Sequence, residues 1–483
     1  DLALQFEPWL AMCRESIQEG RLPLWNDRAG CGSPLLANGQ SAVFDPFHAL
    51  AYWGPWPWSL AAMAVGRLWV AGIGMFLFSA RLGLGPWGRW FAGLSFPFCG
   101  FLTVWLLFPV TNVAVWLPWL LWATDRLREE MNARAAARVA LFVALALVSG
   151  HVQTAAEVLA LAGLFVLARG SGRFAVAWSA GAVVGVAAAA AAVLPLAAYL
   201  TRSPVWADRQ REFASPWTVT KPRWIDPICT VFPYALGSQR RGHPNLARAV
   251  GAHNLNESAG GFAGLACLAL AVPIALFRWK RDERVRWLAG VVLFGGLAAF
   301  GVPPVVNLLR AIPVLDVIDY RRMTLWVAFG LVVLGGIGLD SLAVMRRASA
   351  ARFGMGLGLV CLLGLIMAAA SLRLAEPWLH DNAVKHYQAA AGSARLLEGT
   401  AESPEQRAAR QVRAAVEVLP RYYLSSAVLV ALLCGVVWSV RRGRISLSTA
   451  RASVLLINLA DLWGFGASLN PAIPAAEFAA DSP

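Results

Sequence analysis

Charge is what this 483-residue chain has least of: Asp, Glu, Lys and Arg make up 14% of it, against roughly 25% in soluble domains. With 58% hydrophobic residues and a mean hydropathy of +0.56, it cannot hide its apolar side chains inside one water-surrounded core. No GxxxxGK[ST] phosphate loop and no HExxH helix occurs, so the sequence offers neither an ATPase motif nor a zincin site. The cysteines at 13, 31, 99, 229, 267, 361 and 434 show no CxxC or metal-ligand spacing. Four of them lie in apolar segments, where Cys acts as a small hydrophobe, and a Cys13–Cys31 disulfide is left open. There is no signal peptide and no initial Met, and the chain stops in "AAEFAADSP". The expectation is of a fragment lacking at least one N-terminal transmembrane helix.

What is there is a series of apolar runs. "AVVGVAAAAAAVLPLAAYL" and "MTLWVAFGLVVLGGIGL" approach the ~20 residues that cross ~30 Å of hydrocarbon. The fold class expected is an all-α polytopic membrane protein, with about twelve spans at 58–80, 90–108, 109–124, 136–150, 152–168, 174–200, 259–277, 287–301, 323–345, 353–372, 422–440 and 452–467. Every second short loop is basic, from Arg81 and Arg89 to Arg441, Arg442, Arg444 and Arg451. By the positive-inside rule those loops are cytoplasmic. The net charge of +14 follows from the same bias, and no nucleic-acid partner is expected. The chain then divides into an outer first loop with an interfacial helix (1–57), spans one to six (58–200), an outer loop (201–258) and spans seven to ten (259–372). An outer helical excursion (373–421), two last spans (422–467) and the start of an outer C-terminal region (468–483) complete it. The excursion's stretch 393–417 reads as charged, exposed helix.

The first loop is the most particular stretch. In "EPWLAMCRESIQEG", Trp9, Leu10, Cys13 and Ile17 fall at near-helical spacing, which suits a short interfacial helix stopped at Gly20. "NDRAGCGSP" turns repeatedly, and "FDPFHALAYWGPWPW" leads into the first span with an aromatic belt. The pattern "D…Q…P…EGRLPLWN…GCGSPLLANGQSAVFDP" resembles the first outer loop of the YfhO family of bacterial membrane proteins. The words "SGHVQ" (149–153), "LNES" (255–258), "DYRRMTLWVAFGLVVLGGIGLDSL" (319–342) and "NLADLWGFGASLNP" (458–471) also look like that family, so the resemblance covers nearly the whole chain.

The family is grouped with GT-C glycosyltransferases, and the resemblance implies transfer of a sugar from a polyprenyl-phosphate donor to a cell-envelope glycopolymer or glycolipid. It implies a multi-pass protein of the bacterial cytoplasmic (inner) membrane with its site on the outer face. It also implies a catalytic carboxylate just after the first helix, which Asp1 matches, acting as general base or holding a divalent cation such as Mg or Mn. Gln5, Asp45 and His48 of the same loop are secondary candidates.

Other candidates rest on position. Arg67, Glu157 and Asp461 lie inside apolar helices, the first two ~12 and ~9 Å deep at 1.5 Å per residue. Charges there tend to face a cavity or pair with each other. Gln153 shares a face with Glu157, below His151. Asp319, Arg321 and Arg322 stand at the mouth of a helix, where guanidinium groups suit phosphate or snorkel to the interface. Asn256 and Glu257 form either a hydroxyl-reading cluster or a helix cap. A lipid or polysaccharide transporter, a flippase and a non-catalytic scaffold are the alternatives. Against transport, the polar residues gather in one half, and no paired broken helices appear in two matching halves.

Overall fold

Apolar stretches of this length become helices because hydrocarbon offers no partner to backbone N–H and C=O groups, and a helix satisfies them internally. The computed structural model describes residues 2–204, 207–208, 225–238, 243–247, 249–250, 255–313, 315–391 and 402–470. Their regular structure is almost wholly helical, beside one two-residue hairpin, Trp25–Asn26 with Ser33–Pro34. The first loop carries α1 (Glu7–Gln18) and α2 (His48–Trp53). Then follow α3 (Trp56–Arg81), α4 (Pro86–Ser95), α5 (Leu117–Glu130) and α6 (Ala133–Val148). Next come α7 (Val152–Arg169), α8 (Gly172–Ala188) and α9 (Ala190–Arg202). The second half contains α10 (Glu283–Ala299), α11 (Pro303–Arg310), α12 (Thr324–Asp340) and α13 (Ala348–Leu374). It ends with α14 (Glu376–Ala391), α15 (Pro404–Arg441) and α16 (Leu447–Leu469).

The helices do not form the twelve spans that hydropathy suggests. Among the described residues, five are long and apolar enough to cross a bilayer, or seven if the bent pairs α8–α9 (76°) and α10–α11 (81°) each count once, so the chain has two broken helices that its sequence did not show. Proline does much of the breaking. The expected 90–108 span stops at Ser95, before Pro97, and resumes only as the short helices Gly100–Val104 and Pro109–Ala114. Proline lacks the N–H that would continue the ladder and pushes the residue before it toward extended backbone. Phe108, with ψ 154°, shows that geometry. The 373–421 excursion is helical over Glu376–Ala391 and from Pro404 on, but residues 404–417 of its exposed stretch 393–417 are the first turns of α15, a single 38-residue helix that runs on into the apolar segment, and residues 393–401 lie outside the described residues. At 1.5 Å per residue it is ~57 Å long, nearly twice the hydrocarbon thickness. One face of it is buried through Ala408, Val412, Ala415, Leu419 and Tyr423, so the excursion has a packed seam as well as its charges.

α12 is the central post. The apolar window of its span is 94% buried, as expected of a helix hydrophobic all round. The alternate loops gather at two ends. At one, Arg81 pairs with Asp125 and Glu129, Arg284 donates to Leu82 O, Arg278 bonds Ser341, and Arg451 donates to Asp340 O. Asp340 there accepts the N–H groups of Gly85 (2.6 Å) and Gly88 (2.9 Å), satisfying the exposed start of α4.

The first loop packs at the other end. Leu10, Cys13, Leu35, Val43, Phe47 and Tyr52 join the main core. α1 ends at Gln18, and Gly20 adopts φ +74°, as its composition suggests. Arg14 donates to Ala51 O and Gly54 O, and Gln18 to Tyr52 O, so α1 satisfies the free carbonyls that end α2. Gly32 is required at φ +89° because a Cβ there would lie 2.5 Å from the Trp25 indole nitrogen. Cys13 is buried, Cys31 is exposed, and both are free.

Candidate functional site

Two polar clusters occupy the first-loop end. Asp45 and Arg67 meet in the first. Both are almost fully buried, with Arg67 Nη2 3.6 Å from Asp45 Oδ2 and Nη1 donating to Leu106 O at 3.1 Å. His48 Nε2 also lies 3.6 Å from Asp45 Oδ2. Ser149 contacts the other carboxylate oxygen at 3.1 Å and accepts the Trp116 indole N–H. Burial pushes the Asp45 carboxyl up to about 7, against the charge of Arg67 and the Ser149 hydroxyl. Burial and the same Arg67 charge push His48 down to about 3, so its imidazole is neutral.

Asp45 Oδ2, His48 Nδ1, Arg67 Nε and Nη2, and Asn112 Oδ1 are all buried without a hydrogen-bond partner. Two of these residues, His48 and Asn112, line a small cavity of about 20 Å³ together with Leu2, Glu7, Gln40 and Ser41, among others. Buried polar atoms are normally satisfied, so this concentration beside a cavity of about one water's volume marks a place for ordered water or a small polar group.

The second cluster is a connected network. Gln153 donates to Glu157 Oε1 (3.0 Å) and to Asp319 O (2.6 Å), and the Asp319 N–H donates back to Gln153 Oε1 (3.3 Å). Arg321 grips Asp319 with two nitrogens and reaches Glu257 Oε2 at 2.7 Å. Arg322 lies 3.7 Å from Glu257 and stacks on Trp105 with its guanidinium carbon 3.9 Å from the ring centre, leaving Nη1 without a hydrogen bond. Burial favours a neutral Asp319, but the Arg321 hydrogen bonds and charge hold its carboxyl below the ordinary value.

Two short stretches join the clusters. In residues 105–109, Trp105 carries Arg322, Leu106 O accepts from Arg67, and Leu107 and Pro109 line the cavity. In residues 149–153, Ser149 faces Asp45 while Gln153 faces Asp319. Gly150 makes that corner possible: its φ is +97°, and a Cβ would lie 2.6 Å from that of Ala42.

Of the residues singled out by sequence, Gln153, Glu157, Glu257, Asp319, Arg321 and Arg322 come together, with Asn256 next to Glu257. His151 instead caps α7, accepting the Thr154 N–H at 3.2 Å. Gln5 is half-buried in the turn before α1. Asp1 lies outside the described residues. The expected meeting of Arg67, Glu157 and Asp461 does not occur: Arg67 takes Asp45, and Asp461 accepts the Leu265 N–H at 2.6 Å. With Asn458, which accepts from Cys267 N and donates to Ala263 O, Asp461 satisfies broken backbone between helices. Ser149, Asn112 and Trp105 were missed as site residues. A lone Asn inside "PVTNVAVW" was the available signal for Asn112.

The described residues hold no group of three or more His, Cys, Asp or Glu that could bind a metal. The class defined by fold and site is an all-α protein of membrane-spanning character with a buried polar centre at one end. No family model, curated protein or solved structure matches the chain.

Proposed function

We propose that this chain is a GT-C-type glycosyltransferase of the YfhO kind, moving a sugar from a polyprenyl phosphate to a cell-envelope glycopolymer or glycolipid. One observation carries the reading. The sequence words that resemble the family lie far apart in the chain yet touch at one end: Asp45 of the first loop meets Ser149, Gln153 meets Asp319, and Glu257 meets Arg321. The arginine-rich loops collect at the opposite end, which supports an outward-facing site in a bacterial inner membrane under the positive-inside rule.

In this reading Asp1 removes the proton from the acceptor hydroxyl. The acceptor oxygen then bonds the anomeric carbon as that carbon's bond to phosphate oxygen breaks, and the polyprenyl phosphate leaves with the electron pair. Leu2, the residue after Asp1, lines a cavity together with His48, the neighbour of Asp45. Arg67 and Arg322 keep guanidinium nitrogens without hydrogen bonds, so they are the cations this reading assigns to the donor phosphate. Arg321, shared between Asp319 and Glu257, positions the mouth of the site instead.

The test is Asp1→Asn in the intact membrane-embedded protein, assayed with a labelled polyprenyl-phosphate sugar. Transfer should fall by the ~10²–10⁴ associated with general-base catalysis, with thermal stability unchanged. Undiminished transfer would remove Asp1 from the role and move the assignment to Asp45. Export of the labelled lipid without any glycosidic product would favour a flippase.

A further inference from the structure

At the arginine-rich end an open cleft of about 660 Å³ lies between residues 274–281 and the start of α13. Its walls differ in chemistry. Ile274, Val344, Phe277 and Phe353 form an apolar side, where the two rings make an edge contact at 5.3 Å and each is 51% exposed. Lys280, Arg281 and Arg347 line the polar side, all exposed.

These three cations differ from their neighbours. Arg81 is balanced by Asp125 and Glu129, Arg138 by Glu130, and Arg284 by Asp282. Arg278, which also lines the cleft, shares Asp282 at 3.4 Å and bonds Ser341 at 3.1 Å. Among the described residues, no carboxylate lies within ion-pair distance of Lys280, Arg281 or Arg347. The apolar wall continues onto α13, whose apolar window is only 17% buried, a surface that a bilayer would cover with acyl chains. Concentrated positive charge beside such an exposed apolar surface selects an anion with an apolar tail.

We propose that this cleft binds the headgroup of an anionic phospholipid, with its phosphodiester among Lys280, Arg281 and Arg347 and its acyl chains along Phe277, Phe353 and α13. Cations at such a surface each strengthen anionic-lipid binding by about 5-fold, so the three together contribute on the order of 100-fold. A free phosphate would use the cations but gain nothing from the phenylalanines.

The experiment titrates the purified protein in detergent with phosphatidylglycerol or phosphatidylcholine and counts bound lipid by native mass spectrometry. Phosphatidylglycerol should be retained selectively. Lys280→Gln/Arg281→Gln/Arg347→Gln should weaken it on the order of 100-fold. Arg134→Gln/Arg173→Gln/Arg442→Gln, at exposed positions outside the cleft, should change it by less than about 5-fold. Phe277→Ala/Phe353→Ala should weaken it as well. Equal losses in the two glutamine triples would overturn the proposal. So would displacement of the lipid by millimolar inorganic phosphate together with no effect of the phenylalanine variant, which would mark a free-anion site. Should the cleft triple fail to fold, the wild-type comparison still decides: equal retention of the two lipids overturns the proposal.

Discussion

Asp45 and Asp319 each face an arginine from a shielded position at the same end of the bundle, yet burial and charge move them in opposite directions. Asp45 is raised to about 7, while Asp319 is held below its ordinary value. The difference is hydrogen-bond reach. Arg67 stands off Asp45 at 3.6 Å, whereas Arg321 Nε donates to both Asp319 oxygens at 2.7 and 2.9 Å. Charge proximity alone does not offset the desolvation of a buried carboxylate; bidentate hydrogen bonds do. The first pair is therefore poised and under-bonded, and the second is a structural clamp.

The largest expected effect breaks the first pair. Arg67→Met leaves Asp45 buried without its cation and should cost about 3–5 kcal/mol, read by thermal or chemical unfolding in detergent. Asp45→Asn/Arg67→Met should recover most of that loss. A double variant as unstable as the single one would show that Asp45 gains nothing from Arg67. Next in size, Gln153→Leu removes the bridge between Glu157 and Asp319 and should cost about 1–3 kcal/mol by leaving buried groups unsatisfied. Smaller again, Ser149→Ala removes a contact to Asp45 and an acceptor for Trp116, worth about 1 kcal/mol.

The least effect is a slope. Asp45 binds its proton more tightly folded than unfolded, so its contribution is present at low pH and is lost as pH rises from about 4 to about 7. His48, pushed down from 6.5 to about 3, contributes stability in the opposite sense, growing as pH rises through that interval. The two largely offset in the native chain. His48→Gln removes one of them, so melting temperature should fall more steeply from pH 4 to 7 in the variant than in the wild type. Parallel curves would mean that His48 contributes no slope, and a variant curve that stays flat from pH 4 to 7 would mean that Asp45 is ionised throughout.

The residue words of the chain showed much of the second cluster in advance. Arg321 and Arg322 at a helix mouth, and Gln153 four residues before Glu157, are local patterns that helical geometry places on one face or at one end. Asp45 with Arg67 was not legible as a pair, because 22 residues and a turn-rich stretch separate them and nothing local specifies that approach. Asp461 misled for a related reason. A charge in an apolar helix reads as lining a cavity shared with Arg67 and Glu157, whereas Asp461 satisfies the broken backbone at Leu265 and lines a separate pocket with Tyr234, Tyr422 and Phe465.

Composition by itself determined that this is a helical chain with the apolar segments of a membrane protein, since so little charge leaves no other way to cover 58% hydrophobic residues. The alternation of basic loops also determined which loops would share an end. Only the tertiary structure decided how many segments became long helices, because proline-broken stretches such as 90–108 keep their hydropathy after losing their continuity. It alone decided which arginine met which carboxylate. Sequence spacing sets which residues share a helix face, but the distance that separates a clamp from an under-bonded pair comes from how the helices pack.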